Sequence, residues 1–320
     1  MNADITVVVP YYNEQETIEY TLEQVGAQSL PAKQAVFVNS SSTDDTSDII
    51  NLWIRKNQHR FSTQFKNLFE NTHNPGSSKN VGIRHAVTDW VAFMDCGQRF
   101  ERNWLEKQYE FALENKVDVT SGVVYCIGEN WVDRCAVAQT YGYKRNRACL
   151  PTTLVNRDVF NKTGLFSEGR RAGYDAAWLM KLEKVGVKRG INDEVRIQYI
   201  GTNFAVTLGN LYSKSALYTK QAIGLEGYPI PYSHFIIPLL ALSACIISTT
   251  AILVVTIGYL FARAFFFPVM KSKNIFLYRE YPLEAALGLV IVGFVMDCGK
   301  IKGSLFGLWA HLFKPTIIDR

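Results

Sequence analysis

Residues 5–14 read Ile5-Thr6-Val7-Val8-Val9-Pro10-Tyr11-Tyr12-Asn13-Glu14: five β-branched residues, a proline, then a polar cluster. A short unbroken apolar run of this kind suits a strand covered on both faces. Pro10 ends it, because proline has no N–H to give a neighbouring strand. The unit recurs outward from there. The sequence predicts a helix over 14–28, a strand over 35–38 and a helix over 44–56. A strand over 65–69, a helix over 76–86 and a strand over 90–94 follow, then a helix over 103–114 and a strand over 117–124. Strictly alternating strands and helices imply an α/β fold with a doubly wound, mostly parallel sheet. Ligands of such sheets bind beyond the carboxyl ends of the strands. Tyr11 to Glu14, Asn39 to Asp45 and Asp95 to Arg99 all fall at those ends. Beyond residue 126 the alternation loosens, with a strand expected over 152–155, a helix over 175–185, a strand over 195–200 and a helix over 208–223.

Charge divides the 320 residues unevenly. Residues 1–226 hold 26 Lys/Arg and 25 Asp/Glu, whereas residues 227–320 hold 8 and 4. A near-neutral main domain argues against a nucleic-acid partner. From Gly227 to Ala262, 36 consecutive residues carry no Asp, Glu, Lys or Arg. Since about 20 apolar residues cross a bilayer, a span is expected over about 235–262. A long buried core helix is the alternative. Ala285 to Met296 is a shorter apolar run, so 283–299 reads as a weaker span or a re-entrant segment, and 303–313 as an interfacial segment. Arg263, Lys271, Lys273 and Arg279 lie between the runs. The positive-inside rule would keep that loop cytoplasmic, against a simple hairpin with a cytoplasmic N-terminal domain, so the topology stays open. Met1 to Ile5 holds Asp4 and no basic residue, unlike a secretory leader. The expectation is a cytoplasmic domain over 1–226, in halves 1–125 and 126–226, with 227–320 in the inner membrane. The six cysteines form no C-x-x-C and read as reduced thiols. No strand leads into G-x-G-x-x-G, which disfavours a dinucleotide-dependent oxidoreductase.

Four strand ends carry motifs in register: Pro10-Tyr11-Tyr12-Asn13-Glu14, Asn39-Ser40-Ser41-Ser42-Thr43-Asp44-Asp45-Thr46, Asn74 through Gly82-Ile83, and Asp95-Cys96-Gly97. In order and spacing they resemble family-2 glycosyltransferases, over roughly residues 4–225. The family patterns are P-x-Y-N-E, D-D-G-S-T-D-x-T, G-x-x-x-A-R-N-x-G-I and a strand-end D-x-D. Gly164 to Trp178 resembles the family's acceptor segment, G-x-F-x-E followed by E-D and a helix.

The resemblance implies a glycosyltransferase A-type fold binding a nucleotide-diphosphate sugar through Pro10, Tyr11, Asn13, Glu14, Asn39, Ser40, Lys79 and Asp95. Ser40 stands where the family holds the nucleobase or ribose with an Asp. Asp175 matches the family's general base, and Tyr174 replaces the Glu before it; a plain helix cap is the other role open to Asp175. The family's D-x-D holds a divalent ion, magnesium or manganese. Here Gly97 stands at the second position, leaving Asp95 as the one carboxylate for a metal, or as a turn cap. Arg99, Arg170 and Arg171 are candidates to grip a diphosphate in donor or acceptor, with a solvated loop the alternative for the last two. The implied function is inverting transfer of a sugar to a polyprenyl-linked saccharide at a membrane, in polysaccharide or glycan biosynthesis, by a homo-oligomer or a larger biosynthetic complex. The rival is a weak or inactive homologue serving as a binding or scaffold subunit, which the lost carboxylates would suit.

Overall fold

The computed structural model describes residues 3–198, 207–224, 239, 243 and 248–313. By internal contacts these form two compact units, one from 1–124 with 148–198, the other from 125–147 with the described residues after 199. Residues 125–147 and 207–224, which lie before the sequence boundary at Glu226, thus belong with the C-terminal helices.

The first unit follows the expected alternation. Strand β1 (Ala3–Tyr11) leads to α1 (Ile18–Gly26), β2 (Ala32–Asn39), α2 (Thr46–Asn57) and β3 (Gln64–Phe69). Then come α3 (Pro75–Arg84), β4 (Trp90–Phe93), α4 (Trp104–Asn115) and β5 (Val119–Cys126). The sequence pattern did not reveal α5 (Trp131–Thr140), β6 (Arg145–Ala148) or α6 (Asp158–Thr163). These are short, and β6 (Arg-Asn-Arg-Ala) has no apolar run to signal a strand. Strand β7 (Leu154–Asn156), α7 (Tyr174–Lys184) and β8 (Arg189–Gln198) complete the unit. Seven strands of this unit form one sheet, ordered β3-β2-β1-β4-β7-β5, with β8 also paired to β5.

Strands β3, β2, β1 and β4 are parallel, so their carboxyl ends share one edge. β7 enters antiparallel between β4 and β5. The core beneath that edge joins Val8, Phe93, Val155, Phe160, Phe166 and Trp178. Helix α3 lies close on β1: a Cβ at Gly82 would sit 2.3 Å from Val8 Cγ1, so only glycine permits this approach. That contact brings the α3 side chains to the strand ends.

The second unit is helical. It takes α5, then α8 (Leu208–Ala222) and α9 (Thr249–Phe261), which runs through a π turn (Ala262–Phe266) into α10 (Phe267–Ser272). Helix α11 (Phe276–Glu280) follows, and a second π turn (Glu284–Gly288) opens α12 (Leu289–Phe313). Most of the expected span over 235–262 before residue 248 lies outside the described residues. The continuous helix Thr249–Ser272, 24 residues with few of them buried, is long and apolar enough to cross a membrane.

Two sequence boundaries are corrected here. The helix does not end at Ala262, and the segments 283–299 and 303–313 are not separate, because α12 passes through Lys300 and Lys302 unbroken. The reason is pairing. Arg263 forms a bidentate ion pair with Asp297, whose carboxylate also accepts from the Tyr259 hydroxyl at 2.9 Å. From α5, the Gln139 amide donates to the carbonyls of Arg263 (2.8 Å) and Leu289 (3.0 Å), beside the two π turns. Polar groups in apolar helices persist when satisfied in this way.

Candidate active site

The loops after β1 and β2 are tied together before any ligand is considered. Asn13 adopts a left-handed backbone (φ 55°), and its Oδ1 accepts from Thr43 N at 2.8 Å. Its own N–H donates to Ser42 Oγ at 3.0 Å, while Glu14 N–H donates to Thr46 Oγ1 at 2.8 Å. Asp44 caps the start of α2 through Thr46 N–H and hydroxyl. Much of the Ser/Thr/Asp motif is therefore spent on building the loop. Asn13, Glu14, Thr17 and Asp44 line a cavity of about 320 Å³ at this edge. A larger groove of about 520 Å³, between α2 and β3, holds none of the strand-end residues named above.

The predicted nucleotide residues divide into two sets. Tyr11, Asn39 and Ser40 are buried and occupied within the fold. The Tyr11 hydroxyl donates to Asn67 Oδ1 at 2.8 Å, and burial pushes its pKa up to about 12. Asn39 Oδ1 accepts from Ser42 N–H at 2.7 Å, and the Ser40 and Ser78 hydroxyls bond each other. Tyr12, which the sequence reading passed over, is the exposed tyrosine of this loop and meets His73 edge-on at 6.2 Å. Pro10 lies half-buried at the end of β1.

The second set converges. Lys79, on α3, is 1% exposed, and its ammonium donates to Asp95 Oδ1 at 3.0 Å. The same ammonium lies 5.8 Å from the Tyr174 ring centroid and acts on the Tyr174 hydroxyl. Burial, the largest influence, would lower the lysine pKa, but the charges and hydrogen bonds of Asp95 and Tyr174 together outweigh it and the net shift is upward. Tyr174 is pushed up to about 12 by burial, with Lys79 opposing. Glu14 is raised by burial against a 2.6 Å hydrogen bond from the Thr17 hydroxyl, and the Asp95 charge adds to the rise. Asp95 is thus an ion-pair partner of Lys79. Asp175 stands in the first turn of α7, one residue beyond Tyr174, with Gly173 (φ 80°) as the N-cap. It therefore does not cap the helix, and a carboxylate there is favoured by the helix dipole.

The acceptor-like segment is pinned to α3 by a residue outside the predicted set. Asn80 is fully buried. Its Nδ2 donates to Phe166 O and Glu168 Oε1, both at 2.9 Å, and its Oδ1 accepts from Phe166 N–H at 3.0 Å. Arg84 also pairs with Glu168 at 2.9 Å. Burial raises the Glu168 pKa, but these two bonds outweigh it and the net shift is downward. The motif N-x-G-I carried this signal, though not its partner. Arg99 is exposed beyond Gly97, Arg170 is half-buried and Arg171 exposed in the loop before α7.

The donor set fits poorly with the magnesium or manganese ion that D-x-D implies. Gly97 has no side chain, and Asp95 already faces an ammonium. Among the described residues no three His, Cys, Asp or Glu side chains group as metal ligands.

The parallel strand order and the strand-end cleft define a glycosyltransferase A-type fold. The family model described as "Glycosyl transferase family 2" matches residues 6–169, and the chain belongs to that family. An uncharacterised glycosyltransferase of Rickettsia bellii is 23% identical over 248 residues, covering 75% of this chain and 35% of the relative. A poly(ribitol-phosphate) β-glucosyltransferase of Bacillus spizizenii is 26% identical over 138 residues, covering 42% of this chain and 21% of the relative. The chain thus spans well under half the length of these relatives. A mannosyltransferase from Pyrobaculum calidifontis, solved with GDP-mannose and Mn²⁺, superposes with a TM-score of 0.56 at 17% identity, over 97% of this chain and 88% of that one.

Proposed function

We propose that this chain is an inverting glycosyltransferase that moves a sugar from a nucleotide-diphosphate sugar onto a saccharide carried by a membrane lipid. The observation that carries the reading is the meeting of Asp95, from the end of β4, and Tyr174, next to Asp175, at the Lys79 ammonium. Donor and acceptor chemistry are thereby brought to one cleft. In the proposed step Asp175 takes the proton of an acceptor hydroxyl as its oxygen attacks the anomeric carbon. The bond from that carbon to the diphosphate breaks, and the nucleoside diphosphate leaves with the electron pair. Pro10, Asn13 and Glu14 border the nucleotide at the loop cavity. Asn39 and Ser40 support that loop from beneath, and Arg99, Arg170 and Arg171 are offered to phosphates.

The membrane part of the reading is supported by the 24-residue apolar helix. Holding the first unit, on the cytoplasmic side, near a lipid-borne acceptor raises that acceptor's effective concentration. The relative from Bacillus spizizenii, named for glucosylation of poly(ribitol phosphate), supports a cell-surface polymer as the pathway's product. The test is sugar release from a panel of nucleotide sugars by wild type and Asp175→Asn. Loss of a general base should lower the rate by about 10²–10⁴-fold. Equal rates in the two proteins would replace the enzyme reading with that of a scaffold subunit.

A further inference from the structure

Gly97 and Tyr174 stand where the family has carboxylates, and the fold sets Tyr174 beside a buried cation that also pairs with Asp95, two residues before Gly97. Lys79 is 1% exposed, pairs with Asp95 at 3.0 Å and lies 5.8 Å from the Tyr174 ring centroid. Beside Gly97 (φ 71°) there is room: a Cβ would have Glu14 Oε2 at 3.7 Å and Thr17 Oγ1 at 3.8 Å. Glu14 Oε2 is itself engaged by the Thr17 hydroxyl at 2.6 Å. A divalent ion at a nucleotide site is held by protein carboxylates that it bridges to the phosphates. Here the one strand-end carboxylate is already neutralised from within, and an incoming ion would meet a fixed ammonium a few ångströms behind it. The missing carboxylate at Gly97 and the burial of a lysine against Asp95 act in the same direction.

We propose that the Lys79 ammonium, by neutralising Asp95 from within, removes the need for a metal at this strand end, so that this chain binds the nucleoside diphosphate without a divalent cation. The inference rests on the nucleotide-sugar reading above. Paired with Lys79, Asp95 no longer repels the phosphates, and no ion is required between them. The exposed part of the Asp95 carboxylate, 34% of its side chain, is left to orient the donor.

Isothermal titration of UDP and of GDP into the full chain, in EDTA and again in millimolar MnCl₂, tests this. The nucleotide that binds is expected to show the same affinity in both buffers, within about threefold. The Mn²⁺ resonance spectrum, recorded with protein and nucleotide together, is expected to match that of nucleotide alone. Tightening by about tenfold or more in Mn²⁺, or an Mn²⁺ signal altered by the protein, would overturn the inference while leaving the nucleotide-sugar reading intact. Absence of nucleotide binding in both buffers would defeat that reading and this inference together. Lys79→Met should weaken binding in EDTA by about tenfold or more, with Mn²⁺ restoring part of the loss because Asp95 is freed. Unchanged binding by a folded Lys79→Met would equally overturn it. Lys79→Arg keeps the charge and should keep EDTA-resistant binding even if the methionine variant fails to fold; Mn²⁺-dependent binding by it would count against the idea.

Discussion

Asn80 offers the sharpest probe of how α3 organises the acceptor side of the cleft. It makes three hydrogen bonds of 2.9–3.0 Å, two of them with the backbone of Phe166. Phe166 is 3% exposed and packs edge-on against Phe93 and at a tilt on Trp178. In Asn80→Ala its N–H and C=O both lose their partners, and water has little access to replace them. Each buried unsatisfied group costs about 1–3 kcal/mol, so the first unit should lose about 2–5 kcal/mol. The bond to Glu168 adds little, because Arg84 still holds that exposed carboxylate. Asn80→Asp separates hydrogen bonding from packing, since it keeps the shape but turns an acceptor toward Phe166 O and Glu168. It should cost at least as much as alanine. Urea unfolding followed by tryptophan fluorescence, which reports Trp178 beside Phe166, gives the midpoint and slope. Because residues 166–175 are held through this contact, sugar transfer should fall more than nucleotide affinity. Midpoints for both variants within about 0.5 kcal/mol of wild type, the usual range of neutral surface changes, would refute the account.

Two further outcomes follow from charge burial. The folded-state pKa of Glu14 is raised above 4.5, chiefly by burial, so the folded chain binds the proton more tightly than the unfolded chain does. Stability from this group is full below that pH and is lost as pH rises through the folded value. Glu14→Gln should therefore raise Tm at pH 7 relative to wild type and give no gain at pH 4, as differential scanning fluorimetry would show; an equal gain at both would contradict the sign. In the second unit, Asp297→Asn or Arg263→Gln leaves a mostly buried charge without its partner and should cost about 3–5 kcal/mol. The double replacement by leucine should recover most of it. Thermal unfolding of the full chain in detergent distinguishes these, and additive losses would exclude a coupled pair.

Legibility in the sequence followed the range of the forces. The period of the apolar runs foretold β1 to β4 and their helices within a few residues, because a strand buried on both faces must be apolar along its length. Short elements without such a run, α5, β6 and α6, left no mark. In the C-terminal helices, single charges at Arg263, Lys300 and Lys302 read as boundaries. Arg263 became interior once it met Asp297, 34 residues away, a pairing no local pattern contains.

The candidate site divides along the same line. Residue types at strand ends, with Pro10, Asn13, Glu14, Lys79, Asp95 and Asp175 in order, were sufficient to point to the family. Which of them face one another was not. That Tyr11 and Ser40 turn inward while Tyr12 stays out follows from the twist and closeness of β1, β2 and α3. That Asp95 and Tyr174 meet at one lysine follows from α3 lying close on β1 at a glycine. Sequence determines which side chains are present and how far apart along the chain; electrostatics and hydrogen bonding act through space over a few ångströms, so only the folded arrangement decides which charges become partners.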